Sequence, residues 1–81
     1  MNPKAISDLI QAALPGSQVL VRSDDNVHYE AVVISEAFAG KRSVQRHQLV
    51  YAALGPRMGN EIHAMALQVF TPEEAARHGA G

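Results

Sequence analysis

Eighty-one residues, 47% apolar and 19% charged, suit one small globular domain, because a chain this short buries only about 60% of its unfolded surface and cannot support two cores. The absence of cysteine excludes disulfides, zinc knuckles and any iron–sulfur cluster held by the chain's own thiolates, and it fits a reducing compartment. A net charge of −1 excludes a global basic field for nucleic acid, and no apolar run approaches the roughly 18 residues of a membrane span.

The start "MNPKAISDL" lacks the apolar region of a signal peptide, so a cytoplasmic location is expected. Asn2 and Pro3 open a helix, as N-cap and first helical residue. Ile6, Leu9, Ile10, Ala13 and Leu14 then recur at three- and four-residue spacing, which predicts one buried face ending at Pro15-Gly16. "SQVLVRS" and "VHYEAVVIS" are rich in β-branched and aromatic residues, and the turn-forming "SDDN" between them makes an antiparallel hairpin. The second strand, His28 to Ser35, is apolar on both parities, as expected of a strand central in its sheet or covered on both faces.

After "SEAFAG", whose Gly40 suits a positive φ, Ser43 is the expected N-cap of a helix reaching Leu54. "GPRMGN" stops that helix or adds a short extra turn. "EIHAMALQVF" reads as a third strand, with His63, Met65, Leu67 and Val69 on one face and Ile62, Ala64, Ala66, Gln68 and Phe70 on the other. Thr71-Pro72-Glu73-Glu74 is a capping box with proline at the first helical position, and a short helix should follow. The expected fold class is therefore α+β, in the order α-β-β-α-β-α. A right-handed crossover sets strands two and three parallel, and the helices cover one face of a three-stranded mixed sheet. Residues 1–81 form one domain, ordered over 3–77, with 78–81 as a frayed tail.

Two positions break the pattern. Advancing about 100° per residue from Val44 puts Arg46 and His47 inside or beside the arc that holds Val50, Ala53 and Leu54. An arginine in a first helical turn also opposes the helix dipole. Either this turn protrudes past the sheet, with Arg46 reaching water and His47 hydrogen-bonded, or the two residues belong to a functional site. Lys41, Arg42, Arg46 and Arg57 also lie in a stretch, 37–60, that has no Asp or Glu. They form a solvated loop and helix start or a partner-facing basic patch.

Enzymatic chemistry finds no support. There is no cysteine nucleophile, no serine beside a His/acid pair, no phosphate-binding loop and no paired-carboxylate motif. A zinc site from His28, His47 and His63 lacks any helical i, i+4 pair.

The pattern Phe38-x-Gly40-x-x-x-Val44-x-Arg46-His47-x-x-Val50-Tyr51, then Ile62-His63-Ala64-x-Ala66-Leu67 and Thr71-Pro72-Glu73, resembles the BolA family. The likeness runs from about residue 4 to residue 77, and the short length is closer to the family's short branch than to its longer founding member. "VHYEAVVIS" looks like the family's Ser-His-Phe strand start, with Val27 and Tyr29 in place of Ser and Phe. The resemblance implies a class II KH-like fold without catalytic activity. It also implies pairing with a monothiol glutaredoxin around a shared [2Fe-2S] cluster, with thiolates from the glutaredoxin and glutathione.

His63 matches the family's histidine ligand. The second ligand usually comes from the loop between the first two strands, but "SDDNV" holds neither Cys nor His, which leaves His28 as the nearby candidate. Asp24 or Asp25 would offer hard oxygen, a poor match to such a cluster. His78 has no assigned role. Imidazole in place of thiolate raises a cluster's potential and makes it depend on protons. Arg46 and His47 would then shape the docking edge near the cluster, and the isolated chain would be a monomer or weak dimer without a cofactor of its own. The alternative implied by the resemblance is DNA binding and transcriptional regulation through Lys41, Arg42, Arg46, His47 and Arg57. Against it, no GxxG loop is present and aromatic residues are few.

Overall fold

The computed structural model describes residues 1–62 and 64–78, without the side chain of His78; His63 and residues 79–81, with most of the expected frayed tail, lie outside the described residues. Asn2 caps helix α1 (Pro3–Ala13), its Oδ1 accepting the Ala5 N–H at 2.8 Å. The stripe expected for this helix holds at Ile6, Ile10 and Leu14, which are buried. Ala13 was expected in that stripe and is instead exposed. The chain leaves helical geometry at Leu14 (φ −125°, ψ 74°), so Leu14 closes the core and Ala13 stays outside.

Strand β1 (Gln18–Arg22) pairs antiparallel with β2 (His28–Ile34), and β2 pairs parallel with β3 (Ala64–Phe70). The order β1-β2-β3 puts β2 in the centre, which explains why it is apolar on both parities. Tyr29, Val33 and Val69 face the helices and join Ile6, Ile10, Leu14, Phe38, Val50, Leu54 and Ile62 in one core. On the other face Leu20, Glu30, Ala66 and Gln68 are exposed. The α-β-β-α-β-α order and the mixed three-stranded sheet are as expected.

A 3-10 turn (Glu36–Phe38) follows β2, capped by the Ser35 hydroxyl accepting the Ala37 N–H at 3.1 Å; it drives Phe38 fully into the core. Gly40 takes φ +75° and lets the chain enter helix α2 (Ser43–Leu54). The N-cap is Arg42 rather than Ser43. Gln45 reaches back to accept the Arg42 N–H at 3.0 Å, which moves the boundary one residue toward the N-terminus.

A second 3-10 turn (Gly55–Arg57) and the loop after it prepare β3. The Arg57 carbonyl accepts the N–H groups of Asn60, Glu61 and Ile62 at 3.2, 3.0 and 2.9 Å, and the Gly59 N–H donates to the Ile62 carbonyl at 2.9 Å. Ile62 was expected on the strand face opposite Met65. The strand begins only at Ala64, so the knotted loop is free to turn Ile62 fully into the core. The final helix α3 (Pro72–His78) has the expected capping box: Thr71 N–H donates to Glu74 Oε1 at 3.0 Å, and Glu74 N–H to Thr71 Oγ1 at 3.2 Å.

Truncating a fully buried isoleucine leaves a cavity as well as lost transfer energy. Ile62→Ala should therefore lower unfolding stability by about 2–5 kcal/mol, read from urea melts. Ala13→Ser, on the exposed side of α1, should stay within about 0.5 kcal/mol.

Candidate functional site

Arg46 breaks the apolar pattern of α2 because its charge is paired inside the fold. Its guanidinium pairs bidentately with Glu74, at 2.6 Å to Oε1 and 3.1 Å to Oε2. Nε donates to the Lys41 carbonyl at 2.9 Å and NH1 to the Val69 carbonyl at 3.3 Å, while the group lies 5.8 Å from the Phe38 ring centroid. The side chain is only 12% exposed. Arg46 is thus not reaching into water: it joins α2, the end of β3 and α3. The Arg46 contact and the Thr71 N–H hold the Glu74 carboxyl down at about 2. Glu74 also offsets the penalty of a cation in a first helical turn.

His47, half-buried one residue on, donates Nδ1–H to the Ser43 carbonyl at 2.8 Å and meets Tyr51 edge-on with ring centroids 6.1 Å apart. The basic stretch does not form one patch. Lys41 and Arg42 are exposed at the start of α2, whereas Arg57 lies beyond its other end, about 18 Å of helix away.

A different polar cluster occupies the opposite end of the sheet. Register pairs Val33 with Val69 beside the Arg46 clamp and His28 with Ala64 at the strand starts, five residues apart, on the order of 16 Å. Here the 23–28 turn is built from side-chain oxygens. The Ser23 hydroxyl donates to the His28 carbonyl at 2.6 Å and accepts the Asn26 N–H at 2.9 Å. Asp25 Oδ1 accepts the N–H groups of Val27 and His28, both at 2.9 Å, and Oδ2 faces His28 Nδ1 at 2.9 Å. The His28 ring contact, then the two backbone N–H groups, hold the Asp25 carboxyl far below the usual carboxylate range.

The His28 side chain is 71% exposed, and its Nε2 has no hydrogen-bond partner among the described residues. The ring stands over an open groove lined by Arg22, Ser23, Asp25, Tyr29 and Met65, beside the exposed Arg22–Glu30 ion pair (2.5 Å). Ala64, opposite His28, is the residue that follows His63 in the chain. His63 itself, the leading ligand candidate, lies outside the described residues. Among the described residues no three His, Asp or Glu side chains gather into a metal-binding group, so any site built on His28 needs donors beyond them.

Sequence reasoning set Asp25 aside as a weak ligand and overlooked its structural part, although "SDDN" followed by a strand is the signature of an Asx turn. It also assigned Glu74 only to its capping box. The Arg46–Glu74 pair spans 28 residues, and no periodicity points across that gap.

Glu74 lies below its ordinary value of 4.5 in the folded chain, so its contribution is complete above pH 4.5 and is lost as pH falls through about 2. Glu74→Gln should reduce stability at pH 7, and the gap between variant and parent should narrow steadily as acid unfolding is followed from pH 5 toward pH 2. A gap independent of pH would remove the charge from the clamp.

Comparisons with known proteins agree with this architecture. The family model for BolA-like protein matches residues 10–74. Over 47 residues the chain is 47% identical to the DNA-binding transcriptional regulator BolA of Haemophilus influenzae, covering 58% of this chain and 46% of that protein. Over 63 residues it is 38% identical to human BolA-like protein 1, covering 78% of this chain and 40% of the relative. These matches span less than half the length of either relative. A BolA homologue from Coxiella burnetii superposes with a TM-score of 0.82 at 39% identity, covering 95% of this chain and 99% of that one. BolA1 from Mus musculus superposes with 0.84 at 27% identity, covering 95% and 70%. The sheet order, the crossover and the sequence all lead to one family, and the chain belongs to the BolA-like proteins.

Proposed function

We propose that this protein is a non-enzymatic, cytoplasmic adaptor that docks on a monothiol glutaredoxin and helps to hold a [2Fe-2S] cluster as shared cargo, with thiolates supplied by the glutaredoxin and glutathione. The observation that carries this reading is the His28 ring, which is exposed, held at Nδ1 by Asp25, and has no partner for Nε2 among the described residues. An imidazole presented in this way suits iron, and a carboxylate on its other nitrogen is the usual support of a ligating histidine. His63 is proposed as the first ligand from the family match, and the pairing of His28 with Ala64 brings the second candidate to the neighbouring strand start. Imidazole in place of thiolate would give the cluster a higher potential than an all-thiolate one. Membership of the BolA-like family supports the absence of catalysis.

Mixing the protein with its host's monothiol glutaredoxin, glutathione, iron and sulfide should give a heterocomplex whose visible spectrum differs from that of the glutaredoxin homodimer. His63→Ala and His28→Ala should each shift that spectrum or lower the yield of complex. A spectrum unchanged in either variant removes that histidine from the ligand set.

A second reading, binding to DNA, is favoured by the exposed Lys41 and Arg42 and by relatives named as DNA-binding regulators. Arg46 is committed to Glu74, and His47 and the distant Arg57 would add secondary contacts. In a salt titration of DNA affinity, Lys41→Ala and Arg42→Ala should each reduce the salt slope by about 1. An unchanged slope in the double variant would end this reading.

A further inference from the structure

We infer that Asp25 is a positioning residue, which holds His28 as the Nδ1–H tautomer and so leaves Nε2 as the only lone pair on the ring. The consequence for iron rests on the adaptor reading above; the tautomer does not.

The argument is one of donors and acceptors. Both oxygens of an ionised carboxylate can only accept. Asp25 Oδ1 already takes the Val27 and His28 N–H groups, so the carboxylate is fixed by the turn before the imidazole is considered. Its Oδ2 then lies 2.9 Å from His28 Nδ1, and a hydrogen bond there requires the proton to be on nitrogen. A neutral imidazole carries one N–H, so Nε2 must hold the lone pair. The backbone is held too. The His28 carbonyl accepts from Ser23, and its N–H donates to Asp25. With Cα and Nδ1 both fixed, the ring has little freedom left although it is 71% exposed.

This makes position 25 a control on what His28 can do. In Asp25→Asn the amide oxygen can still accept the two backbone N–H groups, so the turn survives. The amide nitrogen replaces Oδ2 and presents a donor to Nδ1. The ring answers by moving its proton to Nε2, the inversion that an Asp→Asn change produces wherever a carboxylate orients an imidazole. Flipping the amide would restore an acceptor toward the ring but would put a donor against two backbone N–H groups.

The test uses the full isolated chain, labelled with nitrogen-15, at pH 9, above the range in which imidazoles ordinarily titrate. Long-range proton–nitrogen spectra distinguish the protonated ring nitrogen from the bare one. The parent should show Nδ1 protonated and Nε2 bare at His28. Asp25→Asn should show the reverse while its backbone amide spectrum outside residues 23–30 stays unchanged, and Asp25→Ala should show a mixture. Nε2 protonated in the parent, or an Asp25→Asn ring like the parent's, overturns the inference.

The same variant then enters the glutaredoxin mixture. There Asp25→Asn should match His28→Ala, with cluster retention at least about tenfold lower than in the parent. Inversion of the tautomer with full cluster retention would uphold Asp25 as the positioning residue and would strike His28 from the cluster, so the two ideas fail separately.

Discussion

One guanidinium group ties the helical layer of this fold together. Arg46 donates to a carboxylate from α3, to the Val69 carbonyl near the end of β3 and to a carbonyl from the segment before α2, and it lies against the Phe38 ring. Each contact comes from a different part of the chain. Without the group, a seven-residue helix with one strongly buried side chain among the described ones, Ala75, would have little to dock it, because so short a helix is marginal by itself. The charge sits at a core-facing position because it is paired and hydrogen-bonded there, the condition under which burial of an ion is tolerated.

That clamp also divides the molecule. It closes the end of the sheet where β2 and β3 finish, next to the bond from the Ser35 N–H to the Phe70 carbonyl (2.9 Å). Among the described residues, no such clamp closes the end where those strands begin. It holds an open groove, an exposed ion pair and an imidazole supported on one side. A parallel pair of strands starts both members at the same end, so the β2–α2–β3 crossover itself brings His28 level with Ala64.

The parts visible in the sequence were those encoded by local chemistry or by period. The Asn2 and Thr71 caps, the hairpin, the central strand and the parallel crossover all follow from neighbours in sequence or from the handedness of a connection. What stayed hidden has specific causes. Ile62 was placed on the wrong face because alternation was extended two residues beyond the strand, through a loop whose hydrogen bonds converge on the Arg57 carbonyl. Ser43 lost the N-cap because Gln45, three residues after Arg42, supplied the reciprocal bond instead. Arg46 and His47 were rightly singled out as rule-breaking, but no local rule could supply Glu74, 28 residues away. Charge clustering in sequence likewise said nothing of the helix that separates Lys41 and Arg42 from Arg57.

The two strand starts beside the groove depend on different layers of this architecture. The orientation of the His28 ring is set by the hydrogen bonds of the 23–28 turn, each spanning five residues or fewer. Such contacts form with little loop entropy and are largely indifferent to the state of the distant core. The start of β3 depends on long-range structure: the Arg57 loop, the burial of Ile62 and the register with β2. A core mutation that loosens β3 would therefore disturb the Ala64 side of the groove and leave the His28 ring in place. A change at Asp25 would do the opposite. Under the proposed adaptor function that separation would have a use: one candidate ligand would remain oriented while the neighbouring strand start adjusts to what docks there.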